Sequence, residues 1–348
     1  MEMEKKKVIK VGIIGGGFSA QVFHAPFILS NPKFKLIAFM RQSKKPVEGF
    51  ESINVFDNLE DFIELESDVV IVTTPTFNHF EITKKVLEKS KNVIVEKPLT
   101  VTSEEARILD KIAIEKNKLL AVFHNRIFDG DFMTIKDLIE KGKLGRIVEF
   151  GSNFERFRKT VKPNQWREKD LPGSGNLYDL GSHLIHQSLH LFGKPSSVYC
   201  IRENLRKIEN GVDDYFTILL QYAEGIVVTL KASKLSNICV RFSIHGTEGS
   251  FLKYNLDPQE SQIISGMKTT DKRFGIDEIN QGTLVTENFN GKIEMIAGNY
   301  GLFFENFAEA FHKNDPNHLS TTSKQAILVM EIIEAAIESS KSKKAIFL

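Results

Sequence analysis

The N-terminal region joins an apolar run to a glycine-rich turn, and this junction limits the folds open to the chain. Residues 8–14 are apolar and β-branched, as in a buried strand. They lead into residues 15–20, which have the spacing G-x-G-x-x-A. Glycines let a tight turn bring backbone N–H groups close to a pyrophosphate, and the alanine lets the next helix pack on the strand. The strand before and the helix expected after favour dinucleotide binding over a plain turn. The predicted contacts are Gly15, Gly17, Phe18, Ser19 and Ala20.

The end of the second predicted strand indicates which dinucleotide is bound. Residues 34–40 form that strand, and Arg41 follows it, with Ser43 and two lysines close behind. An NAD site usually has a carboxylate here for the ribose 2′-hydroxyl, whereas a cation suits a 2′-phosphate. A solvated charged loop would have the same composition. We predict NADP as the cofactor, with NAD as the alternative.

Composition restricts the class of protein. The chain has 348 residues, enough for two domains, and is 41% hydrophobic. A net charge of +1 makes no electrostatic case for nucleic acid or a membrane surface, and no apolar run reaches transmembrane length. The first seven residues lack the apolar core of a signal peptide. Cys200 and Cys239 stand far apart, which suits a reducing compartment and excludes a metal-ligand spacing. We expect a cytoplasmic protein without a metal.

Predicted strands and helices alternate up to residue 124 and then give way to a strand-rich region. The first part has strands at 68–74, 92–95 and 119–123, and a helix at 103–116 capped by Thr102 or Ser103. This alternation is typical of a parallel, doubly wound sheet. The strands expected later are 147–150, 197–200, 215–219, 226–230 and 239–244, with helices at 132–141, 301–311 and 323–340.

The predicted fold class is therefore α/β with two domains. A Rossmann dinucleotide-binding domain would span residues 1–124. A second α/β domain with a large, mostly antiparallel open sheet would span residues 125–348, its last helix packing back on the first domain. One face of that sheet would remain free for a partner.

The predicted strand 92–95 ends in Glu96, Lys97 and Pro98. In a doubly wound sheet the carboxyl ends of the strands line the ligand crevice, so a lysine there directs an amine towards a ligand. Taken alone, a lysine at a strand end is more often a surface residue. The glycine turn and a second polar segment favour a functional role.

That second segment, residues 173–187, combines a glycine-rich loop with a carboxylate and imidazoles. Asp179 and His183 are four residues apart, so on a helix they share one face, which His186 and Gln187 continue. A carboxylate beside an imidazole can orient it and support its protonated form. A helix cap and a core histidine are the alternative for each residue alone. The glycine loop allows close approach of a ligand, which favours a site.

These motifs together resemble the Gfo/Idh/MocA oxidoreductase family over nearly the whole chain. Residues 96–98, the glycine turn and residues 178–183 carry the resemblance. Residues 23–26, 124–126 and 166–168 are similar to a branch that includes NADP-dependent scyllo-inositol dehydrogenases. The resemblance implies a Rossmann domain and a second domain whose open sheet forms homodimers or homotetramers.

The resemblance also implies roles for individual residues. Lys97 would contact the nicotinamide ribose and the reacting hydroxyl, and Asp179 and His183 would act at the reacting carbinol. His183 is the candidate base and Lys97 would stabilise alkoxide character, although Lys97 could itself accept the proton. Further cofactor contacts implied are Thr74, Pro75, Asn78, His79, Glu96, Pro98 and Asn125.

Substrate contacts are predicted from a basic segment. Arg156 and Arg158 are two residues apart, so in a strand they share one face. With Trp166, Arg167 and His186 they could line a polyol pocket. A solvated strand face is the alternative. The branch usually has an aspartate at the position of His186 and Arg-Trp at residues 127–128, where this chain has Ile-Phe. Both departures weaken an assignment to scyllo-inositol itself.

The sequence thus predicts an NAD(P)-dependent dehydrogenase of a cyclic polyol or sugar. The same residues would serve an NADPH-dependent reductase of a keto-sugar or dicarbonyl, because the reaction is reversible. A non-catalytic NAD(P)-sensing regulator is a third alternative, which the intact Lys97, Asp179 and His183 disfavour.

Overall fold

A computed structural model of the chain describes residues 7–161, 165–209 and 211–348. Its internal contacts divide the described residues into two compact units. The first unit contains the chain up to Asn125 together with Glu260–Phe274 and Tyr300–Ile327. The second unit contains Arg126–Gln259, Gly275–Asn299 and Leu328–Leu348. Each unit is therefore assembled from separate stretches of chain.

The helices predicted at 103–116, 132–141, 301–311 and 323–340 are present with small shifts at their ends, whereas the helices Leu59–Glu64, His79–Glu88 and Gln259–Ile264 were not predicted. None of the described helices combines the length and the apolar character that crossing a membrane demands. The α-helices of the described residues are α1 (Ala25–Ser30), α2 (Leu59–Glu64), α3 (His79–Glu88), α4 (Ser103–Glu115), α5 (Gly130–Glu140), α6 (Ser182–Phe192), α7 (Gln259–Ile264), α8 (Gly301–Lys313) and α9 (Ser323–Ser342).

The first unit is built on a parallel sheet. Its described strands are β1 (Ile9–Ile14), β2 (Phe34–Met40), β3 (Asn54–Phe56), β4 (Val69–Val72), β5 (Asn92–Val95) and β6 (Leu120–Val122). They lie in the order β3-β2-β1-β4-β5-β6, and every pair is parallel. All four residues of β4 are buried, as expected of a central strand covered on both faces. This order confirms the predicted Rossmann fold.

Aromatic packing explains why α8 belongs to the first unit although it lies late in the chain. The ring of Phe303 lies 4.7 Å from that of Phe123, at the end of β6. Phe304 stacks on Phe27 of α1 at 5.8 Å. Both α8 phenylalanines are buried. Burying such large apolar side chains favours docking of this helix onto the sheet's flanking helices.

The second unit is built on a mixed sheet. Its described strands are β7 (Ile147–Glu155), β8 (Ser197–Glu203), β9 (Tyr215–Gln221), β10 (Val227–Ser233), β11 (Val240–Gly246), β12 (Gly249–Tyr254), β13 (Gly282–Thr286), β14 (Phe289–Ile293) and β15 (Ile346–Phe347). Their order is β14-β13-β12-β11-β7-β10-β9-β8-β15, and β7 with β10 is the parallel pair among these described strands. The prediction of a large, mostly antiparallel sheet is confirmed.

Helix α6 covers one face of this sheet. The ring of Phe192 lies 5.5 Å from Phe150 of β7, and Gln187 reaches Ser152 of the same strand. On the opposite face Ile201 and Val227 are about 40% exposed. The sequence predicted that an open sheet face would serve a subunit contact, and this stays a prediction.

The start of α4 provides a test of local stabilisation. Thr102 accepts a hydrogen bond from the Glu105 N–H at 3.2 Å, and the Glu105 carboxylate accepts one from the Thr102 N–H. Thr102→Ala should lower the free energy of unfolding by about 1 kcal/mol, because one helix N–H loses its acceptor. Thr102→Ser keeps the hydroxyl and should unfold close to the wild type in a urea titration. Equal losses in both variants would contradict a role for the hydroxyl.

Candidate functional site

The glycine turn lies at the carboxyl end of β1. Gly15 has φ +106°, and a Cβ at this position would overlap the Thr73 hydroxyl, so the backbone and its neighbour both require glycine. A Cβ at Gly17 would meet no protein atom within 4 Å. The turn therefore leaves open space at Gly17, as close approach of a pyrophosphate requires. On this test the residues present fit a dinucleotide.

The helix after the turn contains an irregularity with an identifiable cause. Ala20–His24 form a π-helical turn, closed by a hydrogen bond from the Ala25 N–H to the Ala20 carbonyl. Pro26 follows at once and has no N–H to donate, so the wider turn accommodates it. His24, in this turn, is fully buried. Its Nε2 lies 2.8 Å from Oε1 of Glu96.

Glu96 connects the helix after the glycine turn to the end of β5. Its carboxylate accepts hydrogen bonds from the Ser19 hydroxyl, from His24 and from the Lys97 N–H. Burial raises the pKa of Glu96, but the bonds from His24 and Ser19 and the charges of His24 and Lys97 lower it to about 2. The group is thus a largely buried carboxylate anion at neutral pH, its side chain 12% exposed.

The charge of Lys97 acts on the pKa of Glu96 and on that of His124. Lys97 is half-buried, and its peptide bond to Pro98 is cis. His124 is buried nearby at the end of β6. Burial and the charge of Lys97 lower the pKa of His124 to about 3, so its ring is neutral at physiological pH. The sequence did not indicate a role for either His24 or His124.

His79 connects the segments after β4 and after β5 through its two ring nitrogens. Its Nδ1 lies 2.9 Å from the Pro98 carbonyl, and its Nε2 lies 2.8 Å from the Thr74 carbonyl. The ring is 1% exposed. His79 therefore holds the residues after β4 to those after β5, a role that the sequence did not indicate.

The remaining predicted cofactor residues lie at the carboxyl ends of strands. Thr74 and Pro75 are half-buried after β4, while Asn78 is exposed and Asn125 is buried after β6. Phe18 is 56% exposed and contacts the ring of Phe23 edge-on at 5.9 Å.

Arg41 lies beside the glycine turn. A Cβ at Gly16 would sit 3.3 Å from the Arg41 Cδ, which places the arginine stem against the turn. Its guanidinium donates to the Pro46 carbonyl at 3.5 Å, and Ser43 is half-buried in the same loop. Lys44 instead faces Asp57 at 3.8 Å. A cation next to the turn fits a ribose 2′-phosphate.

In the second unit, the motif with Asp179 begins in a π-helical turn, Leu177–Gly181, and continues as α6. Asp179 lies inside this turn and His183 lies in α6, so their four-residue spacing is not a regular α-helical turn. The Asp179 carboxylate accepts a hydrogen bond from Arg167 Nε at 3.1 Å. His183 is 6% exposed on α6. Arg167 is the partner of Asp179 that the sequence did not predict.

The glycine loop before this turn has a structural reason inside the unit. Gly175 has φ +90°, and a Cβ there would overlap the Asp213 carboxylate. That carboxylate accepts a hydrogen bond from the Leu177 N–H at 2.8 Å, at the start of the turn. The sequence predicted that this glycine allows close approach of a ligand. The structure gives a different reason, since a side chain at residue 175 would collide with Asp213.

Gln187 belongs to a buried polar network under α6. It donates to the Arg126 carbonyl at 2.8 Å and accepts from Arg241 at 3.0 Å. Arg241 is fully buried and lies 3.8 Å from Asp129. Burial raises the pKa of Asp129 well above its ordinary value, against the charge of Arg126. His186, beside Gln187, is buried as well.

The predicted substrate residues lie around the end of β7. Arg156 and Arg158 follow its last residue and are half-buried, whereas Phe157 between them is exposed. The Arg156 guanidinium lies 5.0 Å from the ring of Phe154, and that of Arg167 lies 4.7 Å from Trp166. In the second unit Arg167 thus lies beside Asp179, while in the first unit Glu96 holds Ser19 and the backbone of Lys97.

Comparison with known proteins agrees with both units. Residues 9–124 match an oxidoreductase family model described as an NAD-binding Rossmann fold, and residues 136–348 match the C-terminal alpha/beta domain of that family. The chain is 40% identical to an uncharacterized oxidoreductase, C115.03, of Schizosaccharomyces pombe (97% of this chain, 99% of the relative). It is 37% identical to scyllo-inositol 2-dehydrogenase (NADP(+)) IolW of Bacillus subtilis (99% and 97%). The solved structure of the oxidoreductase YvaA of Bacillus subtilis has a TM-score of 0.92 at 36% identity (99% and 100%).

The low pKa of Glu96 predicts a specific loss of stability in acid. Its pKa is about 2 in the folded chain against an ordinary 4.5, so its contribution is complete above 4.5 and disappears as the pH falls towards 2. From about pH 6 to about pH 3 this loss is on the order of 2 kcal/mol. Glu96→Gln should lose correspondingly less stability over this range in urea titrations.

The matched control is Glu88→Gln, which removes an exposed carboxylate of α3. It should follow the acid profile of the wild type. If Glu96→Gln also followed that profile, the buried carboxylate would not be the group that titrates.

Proposed function

This chain belongs to the Gfo/Idh/MocA oxidoreductase family, and we propose that it is an NADP-dependent dehydrogenase of a cyclic polyol or sugar. The observation that carries the proposal is the Glu96 carboxylate, which holds Ser19 of the glycine turn and the backbone of Lys97 together. A lysine is thereby positioned beside a dinucleotide-binding turn. The similarity to a scyllo-inositol 2-dehydrogenase supports the substrate class.

The chemistry proposed for the chain's own residues is removal of a hydroxyl proton and stabilisation of the negative charge that develops on the hydroxyl oxygen. When bound, the nicotinamide supplies the hydride acceptor. The Lys97 ammonium stabilises negative charge that develops on the substrate oxygen. Of the two ionisable groups on which the charge of Lys97 acts, Glu96 is anionic and His124 is neutral. A cation held next to a fixed anion needs little reorganisation when the oxygen becomes negative.

His183 is the proposed proton acceptor, with Lys97 as the alternative. A general base must be held in one orientation, and the His183 imidazole is buried on α6. Asp179 is proposed to bind a substrate hydroxyl, since its carboxylate is 24% exposed while Arg167 holds one oxygen. A positioned base contributes about 10²–10⁴-fold to the rate.

The test of the proposed function is an NADP-reduction screen across inositols, aldoses and sugar derivatives, with NAD in parallel. Turnover of a polyol or sugar with NADP would support it. Tight NADPH binding without any turnover would contradict the dehydrogenase, and carbonyl substrates with NADPH would then test the reductase alternative.

Lys97→Met should lower kcat by about 10²–10³-fold, because the variant keeps the aliphatic stem but loses the charge on the reacting oxygen. NADPH affinity, measured by fluorescence titration, should change only a few-fold. The control Lys116→Met removes an exposed ammonium at the end of α4. An unchanged kcat in Lys97→Met would remove this lysine from the mechanism.

Arg41→Asp should reverse the cofactor preference. The variant loses a charge-assisted hydrogen bond to the 2′-phosphate, so KM for NADP should rise about 10- to 100-fold, while KM for NAD should fall. Lys45→Asp makes the same change of charge at an exposed position in the same loop and should leave the KM ratio near that of the wild type. Equal shifts in both variants would mean that net charge, not Arg41, sets the preference.

A further inference from the structure

We infer that Arg206 is a positioning residue for the proposed substrate site. It holds the segment Trp166–Glu168 in place, so that Arg167 in this segment keeps Asp179 oriented towards a substrate hydroxyl. The inference rests on the proposed function, which assigns Asp179 to the substrate. It extends the site to the loop between β8 and β9, where the sequence predicted no functional residue.

Arg206 forms a buried ion pair with Asp214. The Arg206 side chain is 4% exposed and that of Asp214 is 2% exposed. The Asp214 carboxylate accepts hydrogen bonds from Arg206 Nε at 2.7 Å, from the Arg206 N–H at 3.0 Å and from the Leu205 N–H at 2.8 Å. Separating this pair would leave a buried charge without its partner, which is costly. The guanidinium of Arg206 is thereby fixed in one orientation.

The other side of the guanidinium faces the chain that follows β7. Nη1 of Arg206 donates to the Arg158 carbonyl at 3.3 Å. The Thr160 carbonyl and Oε2 of Glu168 accept from the same nitrogen, each at 3.5 Å. The Glu168 side chain is 11% exposed, so solvent screens its attraction to Arg206 only weakly. A guanidinium suits this task, because its donors point in fixed directions towards both groups of acceptors.

Glu168 is the last residue of the 3₁₀ turn that carries Arg167. The Arg167 Nε donates to Oδ1 of Asp179 at 3.1 Å, and the Arg167 carbonyl accepts from the Gly175 N–H at 2.9 Å. The residue that meets Asp179 is therefore the immediate neighbour of the residue that Arg206 holds. A shift of this turn would move the Arg167 guanidinium and change the orientation of the Asp179 carboxylate.

Asp214 also fixes the turn in which Asp179 lies. The Asp214 carbonyl accepts a hydrogen bond from Nδ2 of Asn176 at 2.7 Å, and Asn176 directly precedes that turn. Asp214 and Asn176 are both buried. The backbone of Asp214 thus holds the turn of Asp179, and its carboxylate, through Arg206, holds the turn of Arg167. Contacts from outside the Asp179–Arg167 pair therefore set how these two groups meet.

The expected effect of losing Arg206 is on substrate binding. A misplaced Asp179 would bind a substrate hydroxyl less well in the ground state and in the transition state alike, which raises KM and leaves kcat nearly unchanged. NADPH affinity depends on the glycine turn of the first unit and should stay the same. A substitution that only loosened the fold would instead reduce the fraction of active protein, which lowers kcat at an unchanged KM.

Trp166 allows the position of the 3₁₀ turn to be measured without turnover, because it is the single tryptophan of the chain. Its indole is half-buried, and the Arg167 guanidinium lies 4.7 Å from the centre of the ring. The experiment records the emission of Trp166 and its quenching by acrylamide in the full chain. It then measures KM and kcat with NADP for scyllo-inositol or, if scyllo-inositol is not turned over, for the polyol or sugar that the NADP screen identifies.

Arg206→Met should raise the acrylamide quenching constant of Trp166 about twofold and KM about tenfold, with kcat and NADPH affinity within a few-fold of the wild type. This variant leaves the buried Asp214 carboxylate without its cation. Glu168→Ala is therefore the second variant, since it releases the turn and keeps that ion pair. It should raise quenching and KM as well. Glu168→Gln keeps an acceptor oxygen and should largely restore both values.

The matched control is Lys207→Met, which removes an exposed cation at the next residue of the same loop. It should keep the wild-type quenching constant and KM. The inference is overturned if Glu168→Ala leaves the quenching unchanged, if Lys207→Met raises it equally, or if Arg206→Met and Glu168→Ala lower kcat at an unchanged KM. Stronger quenching in these two variants without turnover of any polyol or sugar would uphold the positioning of the turn while the proposed dehydrogenase activity fails.

Discussion

The first unit's site depends on the hydrogen bonds of the largely buried Glu96 carboxylate. A buried anion is costly unless hydrogen bonds satisfy it, and here Ser19, His24 and the Lys97 backbone do so. These donors come from the helix after β1 and from the second residue after β5, and β4 separates these two strands in the sheet. One ionised group thereby fixes the position of the lysine backbone relative to the glycine turn. His79 adds a second connection, between the segments after β4 and after β5.

The second unit relies on a comparable device under α6. Arg241 is fully buried and donates to Ser152 and to Gln187, which in turn donates to the Arg126 carbonyl. Such a network is stabilising when its members are satisfied, and it ties α6 to β7 and β11. Because His183 lies one helical turn before Gln187, the same network fixes the orientation of the helix that carries the proposed base.

Much of the fold was predictable because its signals are local. Continuous β-branched runs marked β1, β4 and β5 to within two residues, and the Thr102 cap marked the start of α4. The strands β12 to β15 were missed because they are short or interrupted by glycine and polar residues. The two π-helical turns were missed as well, since neither a proline at residue 26 nor a glycine at residue 181 distinguishes a widened turn from a helix end.

The sequence by itself determined the strand–turn–helix of the dinucleotide site, the cation after β2 and the lysine after β5, because each depends on neighbours along the chain. Only the tertiary structure decided which groups these residues meet. The partners His24 and Glu96 are 72 residues apart, and residue 175 must be glycine because a side chain there would overlap Asp213. Hydrogen bonds and charges act over a few ångströms in space, and folding brings together residues that periodicity along the chain cannot relate.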